Sequence, residues 1–198
     1  MKRGILIGAI VVLSVLLVWA TVVWQPASPR PGALSQGPRG GDFTLQAASG
    51  PLALHDLRGK VVLLYFGYTM CPDICPTSLA FTAQGLNHLD KAEQEKVKML
   101  FVTVDPERDT LERVKDYASF FHPSIIGLTG SPEDIARVAR LYGASYARQN
   151  VDSAAGYVVD HTADTYVIAP AGKLFAVLPH GAPPAKVAET IRAALVAK

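Results

Sequence analysis

The stretch Val61–Leu79, which reads VVLLYFGYTMCPDICPTSL, constrains the fold more than any other part of the chain. It opens with an apolar run, Val61–Phe66, whose β-branched, aliphatic and aromatic residues are typical of a strand buried on both faces. Gly67 ends this run, and apolar residues then recur at helical spacing from Leu79 to Leu89. The segment between the two patterns holds both cysteines of the chain, which therefore lie where a core strand gives way to a helix.

Cys71 and Cys75 form a Cys-x-x-x-Cys pair at this junction. Open α/β sheets carry their chemistry at the carboxyl ends of strands, and a helix N-terminus lowers the pKa of a thiol by favouring the thiolate. Residues at i and i+4 of a helix have Cβ atoms about 5–6 Å apart, whereas a relaxed disulfide needs about 3.5–4.5 Å. The spacing therefore favours a metal site, and it leaves a reversible disulfide or two inert buried cysteines as alternatives.

Residues 4–24 contain no charged side chain. At about 1.5 Å per residue such a helix is about 31 Å long, which matches the hydrocarbon core of a bilayer and exceeds the apolar region of a signal peptide. We expect residues 1–24 to be a cytoplasmic N-terminus, with Lys2 and Arg3, followed by an uncleaved transmembrane anchor. Because the span leaves no room for an organelle transit sequence before it, the expected location is a bacterial inner membrane, with the remaining chain on the periplasmic or outer side.

Residues 25–41 form a predicted linker, because four prolines and four glycines in seventeen positions cannot build a core. Residues 42–198 are predicted to form one domain. The formal net charge of the chain, +2, is too small to indicate a nucleic-acid surface. In an oxidising compartment paired cysteines usually form a structural disulfide, but a pair four residues apart closes too small a loop to stabilise the fold. A functional role explains this pair better.

Strands and helices alternate along residues 42–198. Asp109 and Glu112 resemble a capping box at the start of one helix, and residues 143–164 are predicted to be irregular. The order of elements indicates a thioredoxin-like α/β sandwich with an N-terminal hairpin. The predicted elements are a hairpin (Phe43–Leu45 and Leu52–Leu54), the core strand, the cysteine helix, a strand (Met99–Val104), a helix from Leu111, a strand (Ile125–Leu128), a helix that begins at Ser131, a hairpin (Thr165–Ile168 and Leu174–Val177) and a final helix (Pro183–Lys198).

His161 is the candidate third ligand, because the loop that leads into the strand from Thr165 would approach the cysteines. Thioredoxin-like disulfide reductases commonly carry a proline just before this strand, and an imidazole in that approach argues for a ligand site. Two thiolates and one imidazole form a soft three-coordinate set that suits copper, whereas a structural zinc site takes four ligands. Lesser candidates are Met70, as a thioether ligand, and Asp73, which could support the helix start or orient a ligand. The other histidines are expected at the surface (His55, His88 and His122) or receive no role (His180).

Three motifs together resemble the SCO/SenC family. They are Gly59–Thr69 continuing into Cys71–Pro76 (CPDICP), Val104–Thr110 (VDPERDT) and Asp160–His161, in the order and spacing of the family over roughly residues 42–196. Leu111 departs from the pattern, since the family often has proline there.

The resemblance implies a membrane-tethered copper-binding protein that helps to assemble the binuclear copper centre of cytochrome c oxidase. It implies that Cys71, Cys75 and His161 are the copper ligands, that the cysteines can cycle between dithiol and disulfide, and that Asp105 is an acidic residue near the site.

Two functions from different classes remain open. The first is a chaperone that passes Cu(I) or Cu(II) to the copper-bearing subunit of the oxidase and receives it from a periplasmic donor. The second is a thiol-disulfide oxidoreductase, in which Cys71 and Cys75 form the catalytic pair that reduces the oxidase cysteines before metallation and is itself restored by a thiol reductant. A peroxiredoxin-like peroxidase and a redox sensor are further alternatives. Our first interpretation is the metallochaperone, which is not an enzyme.

Overall fold

The computed structural model describes residues 39–151 and 156–197, together with Trp19. The predicted anchor at residues 4–24, apart from Trp19, and most of the predicted linker therefore lie outside the described residues. In the described part of the chain, no helix has both the length and the apolar character needed to cross a membrane. The elements below all belong to the compact unit that begins at Gln36.

The strands and helices alternate as predicted, with most bounds within two residues of those expected. A 3-10 turn (Leu54–Leu57) follows the N-terminal hairpin. The elements are β1 (Thr44–Ala47), β2 (Gly50–Ala53), β3 (Val61–Gly67), α1 (Ile74–Asn87), α2 (Lys91–Glu95), β4 (Val97–Thr103), α3 (Leu111–Phe121), β5 (Ile125–Thr129), α4 (Pro132–Tyr142), β6 (Tyr146–Asn150), β7 (Tyr157–His161), β8 (Thr165–Ile168), β9 (Leu174–Leu178) and α5 (Pro184–Leu195).

Seven strands form one mixed sheet in the order β2-β1-β5-β4-β3-β8-β9. Strand β3 lies inside this sheet, where it pairs parallel with β4 and antiparallel with β8. All seven residues of β3 are buried, as the unbroken apolar run predicts. The antiparallel hairpin β1–β2 extends the sheet at one edge, and α1 packs against α5. This is the predicted α/β sandwich with its N-terminal hairpin.

Residues 143–164 are not irregular, contrary to the prediction. Strands β6 and β7 lie within this segment and form a separate antiparallel sheet, with Tyr146 opposite His161 and Asn150 opposite Tyr157. Strand β6 could not be recognised in the sequence because four of its five residues are exposed. The strand therefore lacks the apolar alternation that identifies a half-buried strand. His161 is consequently the last residue of a strand and not part of a loop.

Two other local predictions were wrong. Thr110, and not Asp109, caps α3, since its hydroxyl accepts a hydrogen bond from the Arg113 N–H at 3.3 Å. The Asp109 carboxylate instead turns inward and is 1% exposed. His122 is buried and its Nδ1 accepts a hydrogen bond from the Ser124 N–H at 3.1 Å, because the ring folds back over the turn between α3 and β5.

Candidate metal centre

The two cysteines lie at the carboxyl end of β3. Cys71 precedes α1, in a turn where its N–H donates to the Tyr68 carbonyl at 3.2 Å, and Cys75 is in the first turn of the helix. Both thiols are free; Cys75 is completely buried and Cys71 is 8% exposed. The N–H of Cys75 donates to the Cys71 sulfur at 3.4 Å. The helix N-terminus therefore faces Cys71, which lies outside the regular helix.

His161 reaches both sulfurs from the β6–β7 sheet. Its Nε2 lies 3.1 Å from the Sγ of Cys75 and 4.0 Å from the Sγ of Cys71. The three donor atoms all lie within 4.8 Å of one another. The structure thus brings together the three residues that the sequence selects.

Neighbouring groups hold the orientation of the His161 ring. Its Nδ1 lies 3.1 Å from the Thr162 carbonyl, which can only accept, so Nδ1 carries a hydrogen and Nε2 is the nitrogen that faces the sulfurs. A carbonyl behind the distal nitrogen is the usual partner of a metal-binding histidine. The rings of Tyr65 and Tyr68 also contact the imidazole edge-on, at centroid distances of 6.1 and 5.9 Å.

The two thiols differ in acidity. A hydrogen bond from the Cys75 thiol lowers the pKa of Cys71 to about 4, and the contact with His161 and the N–H groups of Cys75 and Asp73 act in the same direction against partial burial. Burial raises the pKa of Cys75, and the neighbouring Cys71 thiolate raises it further. In the metal-free protein Cys71 is therefore the thiolate and Cys75 keeps its proton.

The donor set fits a single soft metal ion. An ion about 2.0–2.3 Å from each donor holds its ligands up to about 4.6 Å apart, and the sulfur–nitrogen distances of 3.1 and 4.0 Å fall within that range. Thiolates select Cu(I), and imidazole also suits copper. An open cleft of about 470 Å³, lined by Tyr68, Cys71–Ile74 and Val158–His161, leads to Cys71 and His161, so an ion can enter without unfolding the site.

The lesser candidates are not among the three donors. Met70 is 44% exposed and lines a different cleft beside α3. Asp73 is the N-cap residue of α1 by its backbone, and its exposed carboxylate lies 3.5 Å from the Thr77 hydroxyl. The Nδ1 of His180 lies 2.8 Å from the Ser78 hydroxyl. Met70 therefore lines a different cleft from the donors, whereas Asp73 lines the cleft that contains Cys71 and His161.

Residues outside the predicted site also contact it. Asp109 hydrogen-bonds Thr69 in the cysteine loop, and Arg108 lies 5.8 Å from the centre of the Tyr68 ring. Tyr157, at the start of β7, hydrogen-bonds Asp105. The sequence interpretation assigned no role at the site to Arg108 or Tyr157, and it assigned Asp109 only to a helix cap.

The comparisons with known proteins agree with this geometry. The family model SCO1/SenC matches residues 32–196. The chain is 44% identical over 146 residues to the mitochondrial SCO2 homologue of Bos taurus, a match that covers 72% of this chain and 55% of the relative. The chain spans about half the length of the curated relatives it matches.

Solved structures give the same result. The copper-bound structure of Arabidopsis thaliana ScoI superposes with a TM-score of 0.70 and 35% identity, over 79% of this chain and 97% of that one. BsSco, described as carrying a disulfide switch and as a member of the Sco family of cytochrome c oxidase assembly proteins, superposes with a TM-score of 0.61 and 25% identity, over 82% and 96%. With a thioredoxin-like fold, two thiols and an imidazole at one strand end, and a family model matched along most of its length, the chain belongs to the SCO1/SenC family.

Proposed function

We propose that this chain is a membrane-anchored copper chaperone that delivers copper to the binuclear copper centre of cytochrome c oxidase. The observation that carries the proposal is the convergence of the Cys71 and Cys75 sulfurs and the His161 Nε2 within 4.8 Å of one another. The copper-bound relative from Arabidopsis and the description of BsSco as an oxidase assembly protein support the choice of cargo and recipient.

The protein's own groups divide the work of binding. The Cys71 thiolate is ionised before copper arrives, so it is the first ligand, and Cys75 must lose its proton when the ion is bound. His161 would bind the ion through Nε2, because its Nδ1 faces the Thr162 carbonyl. An imidazole bound to a metal through one nitrogen carries no negative charge, so His161 is the ligand suited to be exchanged first when a ligand of the recipient approaches through the cleft.

The anchoring part of the proposal rests on the sequence. Residues 4–24 are an uncharged apolar segment of bilayer length, followed by the proline- and glycine-rich residues 25–41. Such an anchor and linker would hold the copper domain on the periplasmic or outer face of a bacterial inner membrane, within reach of a membrane-embedded oxidase. Protease protection of residues 42–198 in right-side-out and inverted vesicles tests this topology.

Copper titration tests the proposal directly. The full chain, reduced and anaerobic, is titrated with Cu(I) in competition with a chromogenic chelator, beside the variants Cys71→Ser and Cys75→Ser. The expected result is one tightly bound copper per chain that is lost in both serine variants. Wild-type protein that fails to compete for copper at any chelator concentration would overturn the chaperone proposal.

A specific observation favours a second candidate, a thiol-disulfide oxidoreductase. The low pKa of Cys71 and the protonated, buried Cys75 are the arrangement of an attacking and a resolving thiol. The Cys71 thiolate would attack one sulfur of a substrate disulfide and release the other as a thiolate. Cys75 would then lose its proton, attack the mixed disulfide at Cys71 and release the second substrate thiol, and two external thiols, which themselves become a disulfide, would reduce the resulting Cys71–Cys75 disulfide.

The two candidates make opposite demands on His161. Reduction of a disulfide needs both thiols and no imidazole ligand, so a reductase retains turnover in His161→Ala. A chaperone loses copper affinity in the same variant. Turnover of a dithiol-containing oxidase peptide in its disulfide form, measured in parallel with copper affinity, separates the two.

A further inference from the structure

The segment Asp105–Asp109, here called the bridge segment, contacts both halves of the candidate site. It follows β4 directly, where the Val104 N–H donates to the carbonyl of Gly67 at 2.8 Å. We propose that the bridge segment sets the distance between the thiols and the imidazole, with Asp109 positioning the cysteine loop and Arg108, through Tyr157, positioning His161. The inference rests on the proposed copper function, which it deepens by assigning the residues that fix the geometry of the site.

Asp109 holds the thiol half. Its buried carboxylate accepts hydrogen bonds from the Thr69 N–H at 2.9 Å, from the Thr69 hydroxyl at 2.6 Å and from the Thr103 hydroxyl at 2.6 Å. Thr69 lies two residues before Cys71, and Thr103 ends β4. A buried carboxylate is costly unless it is hydrogen-bonded in this way. The three bonds therefore tie the loop that carries Cys71 to the end of the central sheet.

Tyr157 holds the imidazole half. Its hydroxyl donates to the buried Asp105 carboxylate at 2.8 Å, and its carbonyl accepts a hydrogen bond from the Arg108 guanidinium at 3.0 Å. The guanidinium groups of Arg108 and Arg148 each lie 3.5 Å from the centre of the Tyr157 ring. Cation–π contacts this close, added to two hydrogen bonds, fix both the side chain and the backbone of Tyr157.

Tyr157 and His161 are the first and last residues of β7. A two-stranded sheet is marginally stable by itself, so the β6–β7 sheet takes its position from contacts with the rest of the domain. Tyr157 and His161 are four residue steps apart, about 13 Å along a strand, so a small rotation of β7 about Tyr157 displaces the His161 ring. Because the imidazole stands only 3.1 and 4.0 Å from the sulfurs, such a movement changes which donors can share one ion.

The bridge segment is itself rigid. The N–H groups of Arg108 and Asp109 both donate to the Asp105 carbonyl, at 3.2 and 3.0 Å, and the Asp105 N–H donates to the Thr103 hydroxyl at 3.0 Å. The Arg108 guanidinium forms an ion pair with the Asp105 carboxylate. The attachment to the cysteine loop and the attachment to β7 therefore start from one hydrogen-bonded turn, which couples the two halves of the site.

The contacts of Tyr157 with the bridge segment are here called the imidazole arm. A double-mutant cycle tests them. Tyr157→Phe keeps the stacked ring and removes the hydrogen bond to Asp105, and the full chain is titrated with Cu(II) in the wild-type and His161→Ala backgrounds. We expect Tyr157→Phe to lower Cu(II) affinity about tenfold when His161 is present, the effect of losing one hydrogen bond to a charged group, and to change nothing when His161 is absent. An equal loss in both backgrounds, or no loss in either, overturns the imidazole arm.

The hydrogen bonds that Asp109 accepts from Thr69 and Thr103 are here called the thiol arm, and they have their own test. Thr69→Val removes the hydroxyl bond to Asp109 and keeps the backbone bond. We expect about a tenfold loss of Cu(I) affinity that persists in the His161→Ala background, because this contact acts through Cys71. The second variant, Asp109→Asn, should show the same pattern. Unchanged Cu(I) affinity in a folded Thr69→Val protein overturns this arm.

Tyr142→Phe is the matched control. It removes a buried tyrosine hydroxyl that donates to the Gly41 carbonyl at 2.9 Å, away from the donor set. The control should lower the unfolding midpoint and leave copper affinity unchanged, whereas a merely structural role for Tyr157 would make the two variants behave alike. The electron paramagnetic resonance spectrum of bound Cu(II) should lose nitrogen coupling in Tyr157→Phe only.

A metal-free measurement separates failure of this inference from failure of the copper function. Hydrogen exchange of the β7 amides, followed in the absence of copper, should accelerate in Tyr157→Phe and stay unchanged in Tyr142→Phe. If the wild-type protein binds no copper and Tyr157→Phe still accelerates the exchange of the β7 amides, the copper function is rejected and the attachment of β7 is retained. Normal copper binding with unchanged β7 exchange in Tyr157→Phe would reject the attachment alone.

Discussion

The sulfur of Cys75 lies directly against Gly67, where an added Cβ would stand 2.8 Å from the Sγ atom. The same Cβ would lie 2.9 Å from the Phe101 ring and 3.0 Å from the Tyr65 ring. Gly67 is the last residue of β3 and is fully enclosed by these groups. The absence of a side chain at the strand end is therefore what allows a completely buried thiol to occupy the carboxyl edge of the sheet.

Gly67→Ala should lower stability and copper affinity together. Overpacking costs about 1–3 kcal/mol in protein cores, and relief of this clash requires the Cys75 sulfur to move. Chemical denaturation and Cu(I) titration measure the two effects. Gly85→Ala is the control, since its Cβ would stand 2.7 Å from the Val187 side chain in the α1–α5 contact. If both variants lose stability and neither loses affinity, Gly67 serves packing only.

His161→Ala should weaken Cu(II) binding by about 100-fold or more. Loss of an outer partner of a ligand costs about 10–100-fold in metal affinity, and removal of the ligand itself should cost at least as much. Competition titration with Cu(II) measures the change, and His180→Ala, which removes the imidazole beside Ser78, is the control. Equal affinity of His161→Ala and wild type would remove His161 from the ligand set.

Cys71 should react with iodoacetamide far below neutral pH. The thiolate is the nucleophile, and the lowered pKa of Cys71, about 4, keeps it ionised until the pH falls through that value. Burial raises the pKa of Cys75, so this thiol should stay unlabelled over the same range. Mass spectrometry of the metal-free protein labelled between pH 3 and pH 9 gives the profile, with Cys71→Ser as control. A profile whose midpoint lies near that of free cysteine would contradict the asymmetry of the pair.

Stability should fall below about pH 6.5 through His122. Burial lowers the pKa of His122, and Lys98 contributes in the same direction. The unfolded chain therefore binds a proton near the ordinary histidine pKa of about 6.5 while the folded chain does not, so this contribution is complete above that pH and declines as the pH falls toward the folded pKa.

His122→Asn isolates this contribution, because the asparagine oxygen can accept the Ser124 N–H and does not titrate. Denaturant unfolding at pH 5 and pH 7.5 should show a smaller difference between the two pH values in this variant than in wild type. His55→Asn, at an exposed position, should keep the wild-type difference. The same difference in all three proteins would assign the acid sensitivity to other groups.

The central sheet and the cysteine pair follow from local sequence, because β3 is a continuous apolar run and Ser131-Pro132 starts α4 with a cap and a proline in the first turn. The β6–β7 sheet could not be found this way. Its polar outer strand has no periodic signal, and β7 is stabilised at Tyr157 by Arg108, which is 49 residues away in sequence. Contacts of that range are set by tertiary structure.

Asp109 illustrates the same limit at a single residue. Three positions before Glu112, it has the sequence signature of a helix cap, yet the neighbouring Thr110 meets the same requirement. Only the fold shows that Thr69 and Thr103 together provide the donors that make burial of the Asp109 carboxylate favourable. Composition and spacing alone could not distinguish the capping residue from the buried one.

The separate β6–β7 sheet also makes the domain modular. Every strand of the seven-stranded sheet pairs within that sheet, so its hydrogen-bond ladders do not depend on β6 or β7. A protein in which a short loop joins Gly143 to Asp164 would keep the strand-end dithiol and lack the imidazole. The imidazole of the candidate site can therefore be regarded as belonging to an insertion between α4 and β8, separate from the sheet that carries the thiols.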